Sequence, residues 1–286
     1  MIISRRDFLT GAACAAAVGI ASDGPAFTYD SASWENVREG LEFSRIRVYE
    51  RGKPIDTLAV LRADPERNKF DLYHDRNGRK TAEDWRRHVG ADAVFNAGFY
   101  RYVRGYGLST EPAALSISEG SILGPRNNRS VKGAFVAEPM SGRRPYARLI
   151  DMDHEKGYNQ YNWNTAVNSW PMLVHANGTL GGSGSKSDSR TAVCEDGHGR
   201  ILAVTTEDNN LTLPGFARAL RDSGLDVKKA LNLDGGHAAQ MYIERGGIRY
   251  ATYGKEQKML GIQFLDRLVE SVKVPIPGVI GISERR

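Results

Sequence analysis

Short runs in which apolar and polar residues alternate dominate this chain. Alternation with a period of two puts successive side chains on opposite faces of an extended backbone. It predicts strands over Phe43 to Arg51, Thr57 to Ala63, Lys69 to His74, Ala93 to Tyr100, Ala113 to Ser118, Gly133 to Ala137, Arg190 to Cys194, Arg200 to Thr206 and Ala230 to Leu233. Helical periodicity is rarer. Thr81-Ala82-Glu83-Asp84 has the layout of a capping box, predicting a helix through His88 that ends at Gly90. Leu213 to Ser223 groups Phe216, Ala217 and Leu220 on one face and meets a stop at Gly224, and Met259 to Val269 reads as a third helix. The expectation is an α+β fold: one domain with a large mixed, mainly β sheet core and a few packed helices.

In the segment Leu231 to Ile243 (LNLDGGHAAQMYI), apolar alternation stops at Asp234, passes through Gly235 and Gly236, and resumes. It reads as strand, loaded turn, strand. The glycines are expected to take positive φ and to let a ligand approach bare amides beside the carboxylate. Asp-Gly is also a common hairpin turn, so the segment alone leaves both readings open. Three further segments precede it: FNAGFY at Phe95 to Tyr100, SWPMLV at Ser169 to Val174, and SRTAV at Ser189 to Val193. In that order the four motifs resemble the phosphodiester glycosidase family. The resemblance runs from about Leu41 to Ile282 and includes the ending Val274 to Ile280.

The resemblance implies a hydrolase that cleaves a sugar-1-phosphodiester between the anomeric carbon and its oxygen, releasing free sugar and a phosphomonoester. A departing phosphomonoester carries negative charge readily, so it needs cationic stabilisation more than a strong acid. Arg190 is the expected clamp, because a guanidinium donates two parallel hydrogen bonds to phosphate. Asp234 is expected to face the sugar as nucleophile, as base for water, or as a stabiliser of positive charge. Glu207 is the candidate second carboxylate, although related chains often carry Asp-Gly there and this one has Glu207-Asp208. His237, beside the glycines, is a candidate proton shuttle. Substrate contacts are expected from Asn96, Gly98, Ser169, Thr191, Gly235 and Gly236. Two other readings stay open: a module that binds anionic envelope glycans without cleaving them, and a structural envelope protein.

Composition narrows the setting. Ser4-Arg5-Arg6-Asp7-Phe8-Leu9 ahead of the Ala-rich stretch Thr10 to Ala21 has the layout of a twin-arginine export signal, with cleavage expected after Ala21 or Ala26. The expected division is a signal peptide over residues 1–26 and the glycosidase-like domain over 27–286, delivered by the twin-arginine translocation machinery to the periplasm or beyond. Of the two cysteines only Cys194 remains after cleavage, so no intrachain disulfide forms, and its apolar strand setting predicts a buried, inert thiol. Formal charge is +5, and losing Arg5, Arg6, Asp7 and Asp23 leaves it unchanged. A mildly basic domain suits an anionic ligand, and without a nucleic-acid-binding motif that partner is not expected. His74, His88, His154, His175 and His198 lack metal-ligand spacing, so neither metal nor cofactor is implied. The Gly-Ser-rich run Gly181 to Ser189 leads into Arg190 and reads either as a rim loop or as a solvent connector.

Overall fold

The computed structural model describes residues 26–105, 107–255 and 273–286. The export segment before residue 26, the helix expected over Met259 to Val269, and Tyr106 lie outside them. The class is as expected, mainly β, with two α-helices among the described residues, Ala82–Val89 and Leu213–Asp222. Among the described strands every pairing is antiparallel, more uniform than the mixed sheet expected from sequence. No helix among the described residues is long and apolar enough to cross a membrane.

Three sheets surround one shared core. The largest has eight strands, running from Phe27–Tyr29 through Leu41–Glu50, Lys53–Ala63, Ile201–Thr206, Thr191–Asp196 and Val227–Asn232 to Met172–Val174, with Glu35–Arg38 paired to Leu41–Glu50 off that path. A five-stranded sheet centres on Trp163–Ser169 and Gly133–Pro139. Another orders Ile248–Tyr253, Gln240–Arg245, Ala93–Asn96, Gly278–Glu284 and Asn68–His74. Alternation sorts the residues of each strand between layers. On Lys53–Ala63, Ala59, Leu61 and Ala63 enter the shared core, while Leu58 and Val60 face a second core covered by Phe216, Ala217 and Leu220 of the second helix. Val193 and Ala192, and Leu231 and Ala230, divide in the same way. The central strands are therefore buried on both faces, each full-sized aliphatic side chain contributing about 1.5–3 kcal/mol.

The capping box forms as read. The Thr81 hydroxyl accepts from the Asp84 amide, the Asp84 carboxylate accepts from the Thr81 amide, and Gly90 closes the helix at φ 69°. The strand expected over Ala93 to Tyr100 is two elements. Ala93–Asn96 ends where the Asn96 side chain turns onto the backbone, its Nδ2 donating to the Ala97 carbonyl at 3.2 Å, and a separate strand begins at Tyr100. The segment Leu231 to Ile243 is not a hairpin either. Val227–Asn232 lies in the eight-stranded sheet and Gln240–Arg245 in a five-stranded one, so the Asp-Gly-Gly turn carries the chain between sheets.

Candidate functional site

Asp234 lies two residues beyond the strand Val227–Asn232, just after Leu233, whose amide still donates to the Thr191 carbonyl at 2.9 Å. Its carboxylate Oδ1 accepts from the Gly235 amide at 3.0 Å. Asn96, buried at the end of its own strand, bridges this turn to the neighbouring sheet. Its Nδ2 donates to the Asp234 carbonyl at 2.8 Å, and its Oδ1 accepts from the Gln240 amide at 3.1 Å. A buried carboxamide without partners would cost about 1–3 kcal/mol, so this bridging fixes both turn and strand end.

The two glycines are needed for different reasons. Gly236 takes positive φ, at 60°. Gly235, expected to do the same, lies at φ −116°, a conformation open to any residue. Its requirement is steric: a Cβ there would meet the Ser189 carbonyl oxygen at 2.8 Å. The same contact surface brings Arg190 into the site, with Nη1 4.0 Å from that Cβ position. Its guanidinium is steered by backbone carbonyls, Nε donating to Leu211 at 3.3 Å and Nη2 to Lys186 at 2.7 Å. Burial pushes the Arg190 pKa down while nearby Asp188 pushes it up, and the guanidinium stays charged. The Gly-Ser-rich run is thereby tied to the site: Lys186 holds Arg190, and the Asp188 amide donates to the Leu211 carbonyl at 3.2 Å.

Asn96, Gly98 and Asp234 line one cavity, joined by Tyr100, His74 and Ser116. Ser169 stands behind Gly98. Its hydroxyl donates to the Asn232 carbonyl at 2.6 Å and lies 3.8 Å from where a Gly98 Cβ would sit. Thr191 is fully buried, its hydroxyl 3.4 Å from that of Thr205, so it braces the strand rather than facing the cavity. His237 sits in the turn with Nε2 3.5 Å from the Tyr100 hydroxyl.

Glu207 is engaged elsewhere: it accepts from Arg45 Nε and Nη2 at 2.6 Å each and from the Tyr250 hydroxyl at 2.7 Å. Like Arg190, Ser169, Thr191, Gly235, Gly236 and His237, it does not itself line the cavity. Cys194 is fully buried and burial pushes its thiol pKa up, as expected of an inert cysteine.

Two residues went unread in the sequence. His74, taken as one of several scattered histidines, ends the strand Asn68–His74 inside the cavity. Its Nε2 donates to the Thr110 carbonyl at 3.1 Å, which leaves Nδ1 as the acceptor, and burial lowers its pKa so that the ring stays neutral. Asp188 lies 3.6 Å from the Cβ position of Gly236 and takes an ion pair from Lys186 at 3.0 Å. The only sequence signal for either was position: His74 at a strand end, and Asp188 two residues before Arg190.

The model of the phosphodiester glycosidase family matches residues 89–269. No curated protein matches the chain. Among solved structures, a hypothetical protein from Synechocystis superposes with a TM-score of 0.56 at 14% identity, over 92% of this chain and 64% of that one, so the chain spans somewhat less than two thirds of that protein. A protein from Burkholderia pseudomallei gives 0.55 at 11% identity, over 91% and 97% of the two chains. The catalytic domain of zebrafish N-acetylglucosamine-1-phosphodiester alpha-N-acetylglucosaminidase, auto-inhibited by its pro-peptide, gives 0.51 at 15% identity, over 92% and 85%. At these identities the superpositions establish a shared fold. The family match extends over more than half of the sequence and contains all four motifs that converge on the Asp234 turn: the chain belongs to the phosphodiester glycosidase family.

Proposed function

We propose that this chain is a hydrolase that cleaves the glycosidic bond of a sugar-1-phosphodiester, and that residues 27–286 act in the periplasm or outside the cell after export by the twin-arginine route. The observation that carries the reading is the convergence of four distant motifs, Asn96 to Gly98, Ser169, Arg190 and Asp234 to Gly236, on one strand-end corner. Asp234 faces the anomeric carbon, where the transition state gathers positive charge. The Gly235 amide holds the carboxylate in place. As the bond from the anomeric carbon to the bridging oxygen breaks, the phosphomonoester departs with the bonding pair, and water supplies the new hydroxyl while its other proton passes to the departing phosphomonoester or to solvent. Arg190 receives that growing negative charge; because it is partly desolvated, its attraction to phosphate is weakly screened. His74 borders the cavity with Nδ1 as an acceptor, while Asn96, its side chain spent on the Ala97 and Asp234 carbonyls and the Gln240 amide, holds the corner in place.

The test is release of reducing sugar from a panel of sugar-1-phosphodiesters, run beside Asp234→Asn. Asparagine keeps an oxygen for the Gly235 amide, so the fold is expected to survive while turnover falls by about 10³-fold or more. A fully active Asp234→Asn enzyme would remove Asp234 from the reaction. Saturable binding without turnover across the panel would favour the glycan-binding module instead.

A further inference from the structure

At the opposite end of the short strand Met172–Val174 from the Asp234 turn, three side chains of ligand chemistry converge. Asp151 ends the strand Ala147–Asp151, His154 lies in the turn that follows, and His175 comes directly after Met172–Val174. One donor atom from each lies within 4.8 Å of the others. The spacing hides this: Asp151 and His154 are three residues apart, but His175 arrives from a different sheet, so the histidines read as scattered.

The arrangement is directional. Asp151 is completely buried, and a single oxygen, Oδ2, faces His154 Nδ1, His175 Nδ1 and the Ala176 amide, each at 2.9 Å. Its other oxygen is held by the Asp153 amide at 3.1 Å. The rings stand edge to face with centroids 5.0 Å apart. Each turns its Nε2 outward, His154 toward Asn177 Nδ2 at 3.0 Å and His175 to 3.2 Å from the Cβ position of Gly181. The imidazoles are part exposed, 35% and 17%, which leaves an approach from solvent to a carboxylate that has none of its own.

We propose that Asp151, His154 and His175 form a binding site for a divalent transition metal of the zinc class, tying the turn after Asp151 to the loop after Val174. Two imidazole nitrogens and one carboxylate oxygen suit zinc, cobalt or nickel and disfavour calcium and magnesium, which take oxygen donors. Zinc with three protein ligands keeps a fourth position for water. Tetrahedral ligands about 2.0–2.1 Å from zinc lie roughly 3.3 Å apart, so the Oδ2–Nδ1 pairs, now at 2.9 Å, open by about 0.4 Å. Coordination through Nδ1 moves each ring proton to Nε2; because Thr179 holds the Asn177 oxygen through its amide at 3.0 Å and its hydroxyl at 2.7 Å, the His154 Nε2 proton then turns to water in place of the Asn177 amide. The Asp153 amide holds the ligating carboxylate from behind, the kind of outer contact that orients metal ligands.

The test uses the full chain, without a polyhistidine tag, titrated with Zn²⁺ against a chromophoric chelator, with Co²⁺ as spectroscopic probe. One equivalent of Zn²⁺ should bind, and His154→Gln and His175→Gln should each weaken that binding at least about tenfold. Zn²⁺ should raise the thermal midpoint of the wild type and leave both variants where they are. Co²⁺ should give the intense visible absorption of a low-coordinate site in the wild type alone. Because His154 is part exposed, its variant is expected to fold, and circular dichroism checks this before titration. Equal affinity and stoichiometry in folded wild type and variants, or no binding by the wild type, would overturn the site and leave a cluster held by hydrogen bonds.

Discussion

Asp56 gives a prediction whose size and sign both follow from the structure. It is 1% exposed on the strand Lys53–Ala63 and suspends the loop that follows Ile201–Thr206. Its Oδ1 accepts from the Thr57 and Asp208 amides at 2.8 and 3.0 Å, and its Oδ2 accepts from the Asn210 amide at 3.2 Å. The same loop returns the Asp208 carbonyl to the hydroxyls of Ser189 and Thr206, beside Arg190. Burial pushes the Asp56 pKa up from 3.8 to about 6, against the pull of the three amides. The folded protein therefore holds this proton up to about pH 6, whereas the unfolded chain releases it near 3.9. Between those values the native state binds more protons, so the contribution is fully present below about pH 3.9 and is lost as pH rises through about 6. At about 1.36 kcal/mol per pH unit, the whole effect is about 3 kcal/mol. Asp56→Asn has nothing to titrate. Its oxygen serves Thr57 and Asp208, but its NH₂ faces the Asn210 amide, a pH-independent cost of about 1–3 kcal/mol. The assay is urea unfolding of both proteins at several values between pH 4 and 7.5. The wild type should gain about 3 kcal/mol on the variant as pH falls, most steeply near pH 5, while all other carboxylates cancel in the difference. Two parallel curves would refute the reasoning.

Two further substitutions address the candidate site. Gly235→Ala places a Cβ 2.8 Å from the Ser189 carbonyl, which also accepts the Gly236 amide at 2.9 Å; backbone on both sides must yield, and turnover is expected to fall about 10–100-fold with circular dichroism unchanged. Wild-type turnover in the folded variant would show that the turn has slack. Glu207→Gln breaks the pair with Arg45, whose side chain is 56% exposed, so the expected cost is about 1 kcal/mol or less by urea unfolding, with turnover within about threefold of wild type. A loss beyond about 100-fold would return Glu207 to the reacting groups.

What the sequence disclosed was what local physics determines. The Thr81 box, the Gly90 and Gly224 stops and the strand expected over Thr57 to Ala63, which lies within Lys53–Ala63, could be read because cap and period are set by neighbours within four residues. Asp234 stands out where an apolar pattern breaks, whereas Arg190 stands out only through its place in the order of motifs that resembles the family. Cross-chain facts were illegible. Nothing near Gly235 announces that the Ser189 carbonyl occupies the place of its Cβ, and nothing near Glu207 announces Arg45. His74 reaches the cavity because its strand pairs with Gly278–Glu284, near the far end of the chain, with His74 opposite Gly278. The Ala93 to Tyr100 strand was overextended because its apolar run continues past Asn96, where the side chain captures the backbone and ends the pairing.

The position of the corner follows from the sheets. Asn96 ends a strand of one five-stranded sheet, Ser169 ends a strand of the other, and Thr191 and Asn232 stand in register positions next to the Asp234 turn in the eight-stranded sheet. Each contributes at the point where its ladder stops, so backbone groups at the strand ends are taken up by partners from another sheet, the Asp234 carbonyl by Asn96 and the Asn232 carbonyl by Ser169, while the Gly236 amide is taken up by the Ser189 carbonyl ahead of the neighbouring strand of the same sheet. Satisfying the strand ends and shaping the site are thus one requirement, since a buried strand end without partners would be costly. The scaffold below is fixed by the core the three sheets share, whereas Arg190 is steered by the run Gly181 to Ser189, which is tied to its neighbours at its ends, the Gly181 amide donating to the Leu173 carbonyl at 3.0 Å and the Asp188 amide to the Leu211 carbonyl at 3.2 Å.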